Sequence, residues 1–306
     1  MAFTEGEVIA LLAQIFASDN SKLEVGIGDD AAVLNTSTRT VITTDMAVEG
    51  VHFRRDWSTP FEIGRKITAA NLADVFAMGA KPTFLVVAVS LTGDEELGWI
   101  QDLAKGIIFE ANLGGATVVG GDLAKGESVV ISITALGEVD QAVLRSGAKI
   151  GDQIYLSNLP GWSQAGLAIL EKDLKIESDS AKRAVAAFKA PTLSYDFAAN
   201  LTGATSMSDL SDSLVTQAAQ MATASGVEFV IDFGLLSAAA DFADLAQLAN
   251  EIEVRIEDLI LGGGEDHAFI ATGKNLPGLV IGEVAVGSGL KLRGNEKAPD
   301  TWRHFE

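Results

Sequence analysis

Val41 to Leu91 reads VITTDMAVEGVHFRRDWSTPFEIGRKITAANLADVFAMGAKPTFLVVAVSL. Its pattern predicts a strand, a helix and a second strand in that order. Thr40 to Thr44 is a β-like run that ends at Asp45. Thr59-Pro60-Phe61-Glu62 then supplies an N-cap hydroxyl, a proline at the first helical position and a glutamate that closes a capping box. The helix is expected to continue to about Gly79, because Ile63, Ile67, Leu72, Val75, Phe76 and Met78 keep helical spacing. Asn71 and Asp74, three positions apart, share one face of it. Thr83 to Leu91 follows as a nearly uninterrupted apolar β run.

Outward from this unit the alternation continues. Upstream, a turn at Gly28 leads into a strand from Ala31 to Leu34, and Met1 to Phe16 is helix-like. Downstream, Glu95 to Leu113 is amphipathic with Gly114 as its stop, and Ala116 to Val119 is a strand that runs into a turn at Gly120-Gly121-Asp122. Val129 to Leu136 adds another β segment. Strand and helix in alternation argue for an α/β layer architecture. Over Arg145 to Asp152 the composition shifts to Arg, Ser, Gly and Lys, which marks a boundary ahead of the strand Gln153 to Ser157. Beyond it, helices are predicted at Gly161 to Lys172, Ala181 to Lys189, Leu214 to Ser225 and Ser237 to Asn250. Strands are predicted at Val227 to Ile231, Ala268 to Thr272 and Leu279 to Val284. The chain is therefore read as two domains, residues 1–140 and 141–306, which its 306 residues and 48% hydrophobic content can both furnish with cores.

Composition removes several function classes. A net charge of −20 opposes binding to nucleic acid or to an anionic membrane surface. No run of roughly eighteen apolar residues occurs, and the first residues carry Glu5 and Glu7 without a basic region, so neither a membrane span nor a signal peptide is expected. With no cysteine there is no thiolate nucleophile or cysteine metal site, which fits a cytoplasmic protein. The sequence has no Walker-type phosphate loop, no kinase His-Arg-Asp loop and no nucleophile elbow.

What remains is a recurring acid. Asp30, Asp45, Asp74, Asp122, Asp209 and Asp212 sit beside small residues where elements end, a pattern suited to hard divalent cations that also bind phosphate oxygens. Each has a plain structural alternative: a turn at Asp29-Asp30, strand-end solvation at Thr43-Thr44-Asp45, helix capping at Asp209 or Asp212. Asp74, inside an apolar helix, requires a partner, either Lys66 or Lys81 or a metal. Gly120-Gly121 could bring main-chain N–H groups against phosphate. Glu265, in Gly262-Gly263-Gly264-Glu265-Asp266, could accept from a substrate amine or sit in solvent, and His52 could bind a phosphate or a ring. His267 and His304 read as structural.

Taken together, Gly26-Ile27-Gly28-Asp29-Asp30-Ala31-Ala32-Val33, Val48-Glu49-Gly50-Val51-His52-Phe53, Asn71 to Ala80, Gly120-Gly121-Asp122, Arg145 to Lys149, Asp209-Leu210-Ser211-Asp212 and Gly263-Gly264-Glu265-Asp266 resemble the thiamine-monophosphate kinase family in order and spacing. That family belongs to the superfamily of aminoimidazole ribonucleotide synthetase. The resemblance implies a two-domain α/β (α+β) fold of the aminoimidazole ribonucleotide synthetase type, with an N-terminal ATP- and Mg-binding domain whose sheets pair across a homodimer. It implies transfer of the ATP γ-phosphoryl group to thiamine monophosphate, without a protein group acting as catalyst in its own right. Carried over by position, Asp30, Thr43, Thr44, Asp45, Asp74, Asp122, Asp209 and Asp212 would hold several Mg²⁺ ions. Gly121, Asp122, Arg145 and Ser211 would meet ATP, and His52, Glu265 and Trp302 would meet the substrate, with cation–π contact at Trp302.

Two positions depart from the family pattern. Ser213 stands where glycine is usual, so a positive φ there would disturb the backbone beside Asp212. His267 stands where tyrosine is common. A related synthetase acting on a purine precursor, and a non-catalytic binder of nucleotide or thiamine phosphate, are the competing readings.

Overall fold

The computed structural model describes residues 23–25, 32–35 and 39–294. The expected N-terminal helix, Asp30, Trp302 and His304 lie outside the described residues. The capping box forms as its residues predict: Thr59 Oγ1 accepts from the Glu62 N–H, and the Glu62 carboxylate accepts from the Thr59 N–H at 2.7 Å. It starts helix α1, Pro60–Ala77.

Six strands form the first sheet: β1 (Leu23–Val25), β2 (Ala32–Asn35), β3 (Arg39–Val48), β4 (Lys81–Leu91), β5 (Thr117–Lys125) and β6 (Val130–Val139). Their order is β1-β2-β3-β6-β4-β5, antiparallel except for the β4–β5 pair. β3 and β5 outrun their sequence patterns in the stretches that carry candidate site residues. β3 continues past Asp45 because β6 pairs with it as far as Val48, and β5 runs through Gly120-Gly121-Asp122 because β4 supplies partners from Phe84 to Leu91. A neighbour that satisfies backbone groups outweighs the weak strand propensity of glycine.

Helices α1 and α2 (Leu97–Gly114) cover one face of this sheet. Val41, Leu85, Ile131, Ile133 and Ala135 alternate along the strands and are wholly buried under them. The helices touch backbone to backbone: a Cβ on Gly64 would meet the Leu103 carbonyl, and one on Gly106 the Phe61 carbonyl. On the opposite face Phe84 and Val86 are 48% and 39% exposed.

The second sheet holds β7 (Gln153–Leu156), β8 (Ser206–Asp209), β9 (Glu228–Asp232), β10 (Phe269–Gly273), β11 (Leu279–Ala285) and β12 (Gly289–Arg293), in the order β12-β9-β11-β7-β10-β8. Only β12 and β9 run parallel. Around it stand α3 (Trp162–Glu171), α4 (Asp179–Lys189), α5 (Tyr195–Ala199), α6 (Leu214–Ser225), α7 (Phe233–Leu236), α8 (Phe242–Glu251) and α9 (Ile256–Gly262). The helix predicted from Ser237 begins only at Phe242, as α8, and a short helix that was not predicted, α7, precedes it. β8 was not legible, since Ser206-Met207-Ser208-Asp209 has one apolar residue and acquires its strand geometry from β10. Leu193, Ala198 and Phe269 pack into the core of the first sheet, so the two halves meet through buried side chains. No helix among the described residues is long and apolar enough to cross a membrane.

Candidate active site

α1 stands at the junction, packed on the first sheet and touching β8 and α4 of the second half. Beside it opens a cavity of about 490 Å³, a size that suits small-molecule sites. The first half contributes Asp45, His52, Lys66 and Asp74 to its wall, and the second contributes Asp209, Ser211, Asp212 and Glu265.

Local periodicity explains the first set. Thr43 and Asp45 lie two apart on β3 and so face the same side, toward α1, where Asn71 and Asp74 share a helix face. Thr43 Oγ1 donates to Asp74 Oδ2 at 2.7 Å, and the Asp45 N–H donates to Asn71 Oδ1 at 3.1 Å. A threonine hydroxyl is thus one partner of Asp74, while Lys66 turns to Glu265. Burial pushes the Asp45 carboxyl above its usual range; His267 opposes that shift and the charge of Asp209 adds to it. His52 Nδ1 accepts from the Val48 N–H at 3.1 Å, which puts its proton on Nε2.

Asp209 ends β8 and is 1% exposed. Its Oδ2 is bonded to His267 Nδ1 at 2.8 Å, while its Oδ1 is buried with no hydrogen-bond partner. Burial alone would depress the His267 imidazole, but the bond to Asp209 and the charges of Asp209, Glu265 and Asp45 outweigh it and raise its pKa. His267, expected to be structural, holds Asp209 in place and also lines the cavity. Ser213 does not disturb Asp212: its φ of −171° is extended, and its hydroxyl caps α6 by accepting from the Thr216 N–H at 3.1 Å. Gly264 packs against the Ser211 and Asp212 carbonyls with no room for a Cβ. That contact and a 2.7 Å bond from the Glu265 N–H to the Ser211 carbonyl hold Glu265 in a left-handed conformation, φ 61°.

Several expected residues do not reach this cavity. Thr44 faces the other side of β3, where its hydroxyl donates to the Ile133 carbonyl at 3.0 Å. Gly121 and Asp122 lie on edge strand β5, and the register Met46–Ser132–Ala88–Asp122 puts Asp122 three strands from Met46, roughly 14 Å at the usual strand spacing. Arg145 is bonded to Gln220 of α6 at 2.8 Å, outside the lining. Sequence reasoning in turn missed Lys66 as the partner of Glu265, and the aromatic pair Trp57 and Phe188 in the same cavity. A lysine within the apolar pattern of α1 was the available signal for the first; the second joins residues 131 positions apart, with none.

The donor set fits a hard divalent cation. Asp45, Asp74, Asp209 and Asp212 share one cavity with a buried, unpartnered carboxylate oxygen among them. Among the described residues no three His, Asp or Glu side chains are grouped tightly enough to hold a metal unaided. Mg²⁺ ordinarily takes one or two carboxylates and completes its shell with water and phosphate oxygens.

Residues 28–139 match the family described as AIR synthase related protein, N-terminal domain. A thiamine-monophosphate kinase of Mycobacterium tuberculosis is 38% identical over 250 residues, 81% of this chain and 74% of the relative. The one from Aquifex aeolicus is 30% identical over 294 residues, 91% of this chain and 92% of the relative. The solved structure of AaThiL complexed with AMPPCP and TMP is similar with a TM-score of 0.90 at 29% identity, covering 99% of this chain and 97% of that one.

Proposed function

The chain belongs to the thiamine-monophosphate kinase family, and from that premise we propose how its cleft carries the ATP-dependent phosphorylation of thiamine monophosphate to thiamine diphosphate. The observation that carries the assignment of the site is that Asp45 and Asp74 from one half and Asp209 and Asp212 from the other line one cavity, with Asp209 Oδ1 buried and without a hydrogen-bond partner. These four residues are our candidates for Mg²⁺, which when bound neutralises charge on the two phosphate groups and holds them in line. Thr43 and Asn71 fix the first pair, and His267 fixes Asp209. The attacking group is a phosphate oxygen, anionic near neutral pH, so no strong general base is needed. His52 carries its proton on Nε2, a donor suited to a phosphate oxygen, and Glu265 is assigned to the amino group of the substrate ring. Ser211 is assigned to the nucleotide end.

We further propose the division into residues 1–140 and 141–306, a cytoplasmic location, and a homodimer formed through the uncovered face of the first sheet. Exposed Met46, Phe84 and Val86 support that interface. Thr44 and Asp122 belong to the same sheet and lie outside the cleft; their roles toward metal, and those of Gly121 and Arg145 toward ATP, are the ones the resemblance implies. Asp30 and Trp302 retain the roles implied by the resemblance. The deciding experiment is thiamine diphosphate formation from ATP and thiamine monophosphate with Mg²⁺ and with a chelator. Product in the first and none in the second is expected. No product with Mg²⁺ present would overturn the reading.

A further inference from the structure

Among the described residues Lys66 is the only buried lysine or arginine. A buried ammonium needs compensation, and here both partners belong to the other half of the chain. Its Nζ lies 2.9 Å from Glu265 Oε2 and 3.8 Å from the centroid of the Phe188 ring, on α4. Lys66, Ala70 and Asp74 follow one another at helical spacing along the cavity wall. Lys66 therefore sits about 12 Å along α1 from the acid at the other end. Around Lys66 the wall is apolar and aromatic, with Ile63, Phe188 and Trp57, whose ring meets Phe188 edge-on at 6.0 Å. One end of the cavity thus suits phosphate and metal, and the other a heteroaromatic ring.

We propose that Lys66 is a positioning residue for substrate recognition: it occupies Glu265 Oε2 and fixes the carboxylate so that Oε1 receives the amino group of the substrate ring. The proposal rests on the reading of Glu265 as a substrate contact. Held in a left-handed backbone conformation and pressed against Ser211, Glu265 has its main chain set by its own loop. Its side chain, 35% exposed, is oriented by Lys66.

The test compares the full-length wild type with K66M, K66R, E265Q and K66M/E265Q, by calorimetric binding of thiamine monophosphate and by steady-state kinetics. K66M is expected to weaken thiamine monophosphate binding and raise its KM by about tenfold or more, the effect of losing a charge-assisted hydrogen bond. KM for ATP should stay within about twofold, as for an independent site. K66R should recover most of the loss, and K66M/E265Q should bind no more weakly than E265Q alone. Unchanged binding in K66M, an equal rise in KM for ATP, or additive losses in the double variant would each overturn the role. Should K66M fail to fold, K66Q replaces it in the same comparison with the same outcomes. A wild type that binds no thiamine monophosphate would remove the underlying reading of Glu265 as well; a wild type that binds it no better than K66M removes only the role of Lys66.

Discussion

At Asp45 the carboxylate is half-buried beside His267 and Asp209, and its pKa is raised first by desolvation. Asp45→Asn should therefore have opposite effects on function and on stability. Turnover is expected to fall by at least about 100-fold, as when a group that stabilises transferring charge is removed. Without divalent ions the melting temperature should rise, because the desolvation cost of the carboxylate and the lesser repulsion from Asp209 are relieved and together outweigh the lost attraction of His267. Coupled assays and thermal melts in chelator check both, and unchanged turnover would remove Asp45 from the site. Asp266 makes a different prediction. It stands in for the missing N-cap side chain at Gly161, accepting from the Gly161 and Ser163 N–H groups at 2.7 and 3.0 Å. Burial pushes its carboxyl up to about 6 against the opposing pull of those two bonds. The folded state then binds more protons than the unfolded state between the two pKa values, so this group stabilises below about pH 4 and its contribution is lost as pH rises to about 6. The loss is on the order of 2–3 kcal/mol. Urea unfolding at pH 4.5 and 7 should show that slope in the wild type and a shallower one in Asp266→Asn. Nothing near Asp266 in the sequence announced this, since its partners lie 105 and 103 residues away.

At the scale of elements, α1 is the helix the sequence describes best and the one that does most. Its start is set by four adjacent residues, and its Asn71 and Asp74 face β3 because helical spacing puts them there. Its packing against α2 depends on Gly64 and Gly106, where the backbones leave no space for a methyl group. Gly64→Ala and Gly106→Ala should each cost about 1–3 kcal/mol despite alanine's better helix propensity, since overpacking at backbone contact exceeds that gain. Denaturant midpoints test this; a stabilised Gly106→Ala would contradict the close crossing. β8 and the Gly120-Gly121-Asp122 part of β5 were not legible as strand. These residues have little strand preference, and their extended form depends on neighbours β10 and β4. Ser213 shows the converse: its extended φ and capping hydroxyl make the departure from glycine harmless to Asp212.

At the scale of the whole molecule, the first sheet has helices on one face and exposed Phe84 and Val86 on the other. If a second copy covers that face, the wild type should sediment at twice the chain mass and the Phe84→Asp, Val86→Asp double variant at the chain mass. A wild type that stays monomeric at assay concentrations would remove the dimer. Both substitutions fall on exposed positions, so the fold should survive them. The sequence by itself determined the alternation of strands and helices, the starts of α1 and α6 and the acid-rich family motifs, because these follow from neighbouring residues. Only the tertiary structure decided that Asp45 and Asp74 meet Asp209 and Asp212, that Thr44 and Asp122 stay outside the cleft, and that Lys66 reaches Glu265 across 199 residues. The facing of a strand residue and the pairing of distant charges depend on register and on burial between halves, and no local pattern carries either.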